Sequence, residues 1–185
     1  MIAHNHQGFM IIHNLITNRK MPARLLTHLT TVHEVAHSIL AWMEKTYPQI
    51  SIDREAILFG AITHDIGKIK AKEEINKLGS THEQLGYELM LEYGITPELA
   101  RFTYTHSQWM RADTKLEDWI VSLADKVWKG KRVAEIEERI INHIHEITNQ
   151  QEWEIFLKLD DLLQKITKDA HQRLLTQASQ SISTN

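Results

Sequence analysis

The 185-residue chain contains no cysteine. Disulfides, thiolate-held zinc and a cysteine nucleophile are thereby excluded, and the composition suits a reducing compartment, with the cytoplasm the expected one. Glycine and proline are scarce, at 7 and 3 copies, too few for the tight turns of a many-stranded β fold. No stretch approaches the roughly 20 consecutive apolar residues of a membrane span. His4, Asn5, His6 and Gln7 interrupt the start where a signal peptide would need an apolar core, so neither a leader nor membrane contact is expected. Positive charge is not in surplus either: Lys plus Arg number 21 against 24 Asp plus Glu, a net charge of -3. That balance argues against a nucleic-acid partner, because phosphate neutralisation needs a basic surface. Histidine, by contrast, occurs 12 times, and imidazole is the commonest metal-ligating side chain.

The apolar pattern is helical throughout. Residues 1–21 read as an arm or short helix. After Pro22, residues Leu25, Leu29, Val32, Ala36, Ile39, Leu40 and Met43 recur at three- and four-residue steps until Tyr47-Pro48 ends the helix. A second helix starts at the capping residue Asp53 and reaches His64-Asp65, with Gly67 allowing a turn beyond it. Ser80 and Glu83 have capping-box spacing for a third helix that stops at Gly94. Thr96-Pro97-Glu98 opens a helix expected to carry residues 99–109, and Leu116 to Lys129 form another ending at Gly130. Residues 133–178 read as amphipathic helices packed on the same domain, and 179–185 as a frayed polar tail. The stripe Ile136, Ile140, Ile144 and Ile147 is either domain core or the face of a homodimer. The expected architecture is one all-α bundle with a C-terminal helical extension.

His64-Asp65 carries the most chemistry. Neighbouring helix residues point about 100° apart, so both can serve one site only where the helix is ending. Imidazole nitrogen and carboxylate oxygen suit ions such as iron, manganese or zinc. If the first two helices pack antiparallel with their joined ends level, His64 stands roughly 16 Å from that end. On the same scale His37, His33 and His28 stand at roughly 14, 20 and 27 Å. His33 and His37 both come near His64, and His28 overshoots.

Three blocks resemble the HD superfamily of metal-dependent phosphohydrolases: Thr31 to Ala36, Leu58 to Lys68 and Val121 to Lys126. The resemblance spans about Leu25 to Arg132, so residues 22–132 are the expected catalytic domain. The separation between His33 and His64 matches the family's, which selects His33 over His37. His82 to Gly86 and Tyr104 to Ser107 resemble ligand helices of the two-metal subgroup, the diadenosine-tetraphosphate hydrolases. The resemblance implies that His33, His64, Asp65 and Asp125 hold one ion. It further implies that Asp65 bridges to a second ion held by His82 and His106. Two ions per chain are expected, iron or manganese first, with magnesium, cobalt, nickel or zinc as alternatives. The implied activity is hydrolysis of a phosphate ester or anhydride in a nucleotide-like substrate by metal-activated hydroxide, with Asp65 central. Lys68, and secondarily Lys126, would meet substrate phosphate. A mononuclear phosphomonoesterase and a non-catalytic nucleotide-sensing module are the alternatives.

Overall fold

The computed structural model describes residues 4–18 and 20–179, and every regular element among them is helical. Positions 180–185, most of the expected frayed tail, lie outside the described residues. Ten α-helices follow in order: α1 (His4–Thr17), α2 (Ala23–Thr46), α3 (Arg54–Thr63), α4 (Thr81–Glu92), α5 (Pro97–Ala100), α6 (Phe102–Thr105), α7 (Leu116–Val127), α8 (Ala134–Thr148), α9 (Glu152–Lys168) and α10 (Ala170–Ser179). Two short 3₁₀ turns, Ile66–Ile69 and Lys72–Ile75, connect α3 to α4.

The bundle is built round α3. Asp53 caps its N-terminus by accepting the Ala56 amide at 2.9 Å, and every residue from Ala56 to Thr63 is buried. Such a helix must be covered on all sides, and α1, α2, α6 and α7 cover it. The opening segment is thus a helix rather than a loose arm, with Ile11, Ile12 and Leu15 in the core. One hydrophobic core extends from these residues to Ile166 in α9. Ile136, Ile140 and Ile144 belong to it, while Ile147 remains exposed.

Local signals set most helix ends. Gly94 and Gly130 adopt left-handed φ of 75° and 81° beyond α4 and α7. The helix expected over 99–109 stops earlier, at Thr105, and the C-terminal helical stretch breaks at Asp169 between α9 and α10. The expected Ser80–Glu83 capping box does not form. Instead the Glu74 carboxylate, reaching back from the preceding turn, accepts the amides of Thr81 and His82 at 3.0 and 3.1 Å. A full negative charge there compensates the helix dipole better than a hydroxyl would. Glu83 is thereby free to accept from Ser107 and Gln108 at 2.6 and 2.7 Å.

Two contacts hold the helices that frame the bundle's centre. Asp118, fully buried on α7, accepts from Arg101 Nε, Thr105 Oγ1 and the Lys115 amide, tying α6 to α7. Gly67 crosses α4 so closely that a Cβ would lie 2.5 Å from the Gly86 nitrogen and collide with the His82 carbonyl. Glycine is required at 67 for this approach, not for a left-handed turn.

Candidate metal centre

The end of α3 sets the site. His64 closes the helix in right-handed geometry, Asp65 leaves it at φ -102°, and the 3₁₀ turn begins. His64 and Asp65 are 0% and 2% exposed, so the pair faces the interior of a concave junction between α2, α4, α6 and α7.

Four imidazoles meet there by their Nε2 atoms. His64 and His106 each place Nδ1 on a carbonyl of their own helix, Ala61 at 3.0 Å and Phe102 at 3.1 Å. A carbonyl only accepts, so Nδ1 carries the proton and Nε2 keeps its lone pair. His82 is oriented in the same way by a carboxylate: its Nδ1 lies 2.5 Å from Glu74 Oε2. His28, from α2, completes the set, with its Nε2 3.1 Å from that of His64.

Asp65 divides its two oxygens between these rings. Oδ2 lies 3.1 Å from His28 Nε2 and 3.7 Å from His64 Nε2. Oδ1 lies 3.0 Å from His82 Nε2 and 3.5 Å from His106 Nε2. Asp125 joins the first group, with Oδ1 3.4 Å from His28 Nε2 and 3.7 Å from His64 Nε2. Lys68 Nζ closes on Asp65 Oδ2 at 2.5 Å, and Lys126 Nζ on Asp125 Oδ2 at 2.5 Å.

These residues fit metal ions on the structure's own terms. Asp65 Oδ1 and His82 Nε2 are buried, adjacent and without a hydrogen-bond partner, a costly arrangement unless a cation takes both lone pairs. His28, His64 and Asp65 offer one group of donor atoms within 4.8 Å of one another, and Asp65, His82 and His106 offer a second. The protonation states of His28, His106 and both carboxylates agree; burial lowers His82 as well, but the Asp65 and Glu74 carboxylates raise it above its ordinary value. Burial lowers His28 below its ordinary value, against the pull of Asp65, and burial with the neighbouring His64 takes His106 to about 3. Burial pushes both carboxylates upward, yet they stay well below the usual range. Asp65 is held there by His64, His28, His82 and Lys68, and Asp125 by His64, Lys126 and Lys129. Neutral imidazoles and ionised carboxylates are the ligating forms.

The structure therefore brings His64, Asp65, His82, His106 and Asp125 to one buried point, with Lys68 and Lys126 at its edge. His33 is a correction. It is only half-buried, packs edge-on against the Phe9 ring at a centroid distance of 5.0 Å, and has His37 and Arg54 for charged neighbours. His28 and His33 are five residues apart, about 140° round a helix, so they cannot share a face. His28 falls out of reach only if α2 and α3 meet with their ends level; the family's separation from His64 then selected His33 over His37. Arg54, the first residue of α3, instead bonds Glu44 and His37, at 2.9 and 2.8 Å. The connecting segment climbs back along α2, so α3 starts higher by one to two turns. From the level of His37 the rise to His28 is roughly 14 Å, close to the roughly 15 Å from Arg54 to His64.

Sequence reasoning also passed over Glu74 and Lys129, whose Nζ lies 3.8 Å from Asp125 Oδ1. His28 did carry a signal, since it falls on the buried stripe of Leu25, Leu29 and Val32. Nothing in the spacing of Glu74 marked it.

Fold and site together define an all-α protein with an internal His/Asp cluster of the kind that holds metal ions. The family model for the HD domain matches residues 25–128, more than half of the chain, and the chain belongs to that family. No curated protein and no solved structure matches it.

Proposed function

We propose that this protein is a metal-dependent phosphohydrolase that cleaves a phosphate ester or anhydride in a nucleotide-like substrate. One observation carries the reading: Asp65 directs Oδ2 toward His28 and His64 and Oδ1 toward His82 and His106. A carboxylate so divided suits a bridge between two cations. His28, His64, Asp65 and Asp125 would hold one ion; Asp65, His82 and His106 would hold the other. When bound, such ions lower the pKa of water and neutralise phosphoryl oxygens, with iron or manganese matching this donor set.

The chain's own groups supply the rest. Carbonyl-anchored His64 and His106 cannot rotate without losing their Nδ1 bonds, so the cluster is fixed before substrate arrives. Glu74 holds the His82 ring and keeps its proton on Nδ1. Lys68, Lys126 and Lys129 place three positive charges beside the carboxylates. A substrate phosphate can replace Asp65 Oδ2 and Asp125 Oδ2 as the partner of Lys68 and Lys126, drawing the phosphorus toward the cluster. The apolar bundle behind the cluster limits water to the open side.

The test is release of inorganic phosphate from a panel of nucleotides and simple phosphomonoesters by protein reconstituted with Mn²⁺ or Fe²⁺. Turnover that is lost with a chelator and restored by metal is expected. Absence of turnover across the panel in protein carrying two ions per chain would refute the proposal and favour a sensing module.

A further inference from the structure

Beside the metal centre lies a cavity of about 270 Å³. His28, Lys68, Arg24 and Lys129 are among the residues that line it. Trp128, just past the end of α7, and Leu174 and Gln177, on α10, also line it, and α10 carries none of the candidate ligands. The family match ends at residue 128, so α10 lies outside the matched segment.

Several contacts hold α10 in this place. Ala170 packs on Gly130, where an added Cβ would meet it at 3.3 Å. Arg173 Nη1 donates to the Ile166 carbonyl at 2.7 Å and reaches the Trp128 carbonyl at 3.5 Å. The start of α10 is thereby locked to the ends of α7 and α9. Leu174 and Gln177, three residues apart, share one face, and that face is turned to the cavity. Leu174 is 40% exposed, a branched apolar side chain bordering a cavity rather than filling the core.

We propose that α10 is the specificity wall of the substrate cleft. Leu174 and Gln177 there contact the organic group carried by the phosphate and restrict the protein to monophosphate esters of mononucleotide size or smaller. The inference rests on the phosphohydrolase reading for what happens to the ligand, but not for where it binds. Arg24, Lys68 and Lys129 bring positive charge to the cavity for the phosphate, and Trp128 and Leu174 offer apolar surface to the group it carries. The volume falls just under the roughly 300–1,000 Å³ of small-molecule sites. That is room for one phosphate and one compact group.

The experiment compares the full-length Mn²⁺-loaded protein with its Leu174→Trp and Gln177→Ala variants, using AMP and inorganic phosphate as calorimetric probes. Both positions are at the surface, and metal content with circular dichroism verifies that the variants fold. Leu174→Trp is expected to weaken AMP at least about 10-fold and Gln177→Ala about 3-fold, with the affinity for inorganic phosphate unchanged, because inorganic phosphate has no organic group to meet the wall. Equal effects on both probes, no effect on AMP, or failure of the parent to bind AMP would overturn the inference. So would tighter binding of diadenosine tetraphosphate than of AMP. Leu174-dependent AMP binding without hydrolysis of any ester would instead refute the phosphohydrolase reading and leave the wall in place.

Discussion

His28 and His64 meet nitrogen to nitrogen, with Nε2 atoms 3.1 Å apart inside the bundle. The His64 Nε2 has no proton to offer, because its Nδ1 donates to Ala61. Two buried imidazoles at this distance, each close to Asp65 Oδ2, are placed as ligands of one cation. His28→Ala is therefore expected to lose the ion of this set, about one per chain by mass spectrometry. His33→Ala should keep the parent's content. The reverse pattern would return His33 to the site and remove His28.

Asp65 reaches all four imidazoles. Asp65→Ala should strip most of both ions and reduce turnover by about 10³-fold or more, a loss of the size seen when preorganised charge stabilisation is removed. The His82→Ala, His106→Ala double variant leaves the other set intact. It should hold about one ion and lose rate by roughly 10², since one cation cannot serve both attacking and leaving oxygens. Full activity of the double variant at one ion per chain would point to mononuclear chemistry.

Glu74 offers a separate test of the second set. Burial would raise its pKa, but the hydrogen bonds from His82 and Thr81 hold it at about 2. It is thus an anion at neutral pH. Glu74→Gln keeps the shape and an acceptor oxygen but removes that charge. Loss of metal affinity or of kcat by about 10- to 100-fold is expected. An unchanged metal titration would reduce Glu74 to a helix cap.

The same group predicts acid sensitivity. Its folded pKa of about 2 lies below the ordinary 4.5, so its contribution to stability is complete above the ordinary value and is lost as pH falls toward 2. Urea midpoints of the metal-free protein should fall across that window. The fall should be shallower in Glu74→Gln, which has no carboxylate to protonate. Parallel pH profiles for the two proteins would show that Glu74 does not couple to folding.

Gly67→Ala tests whether the crossing of the 3₁₀ turn over α4 sets the site. The new methyl would collide with the His82 carbonyl and the Gly86 nitrogen, and the turn must move. A cost of about 1–3 kcal/mol is expected from urea denaturation. Metal content should fall with it, because Asp65 and His82 lie on opposite sides of that contact. A variant of parent stability carrying two ions would show the approach to be incidental.

The sequence by itself settled what depends on a few neighbouring residues. The helical class, the Asp53 cap, the stops at Gly94 and Gly130, and the placing of His64-Asp65 at a helix end all follow from periodicity and capping, whose interactions span one or two turns. Tertiary structure decided what depends on the level of one helix against another. The choice of His28 over His33 was fixed by the segment after Tyr47, which climbs until Arg54 lies beside His37 and Glu44. No count along a single helix contains that offset. Glu74 was hidden for a related reason: its partners are the backbone amides and ring of a helix it precedes, and a loop carries no periodicity to mark the inward side. The wall formed by α10 is the longest-range case, with residues 174 and 177 placed beside His28 and Lys68. Side-chain chemistry can be read one residue at a time, but the space between distant residues exists only after the core has packed.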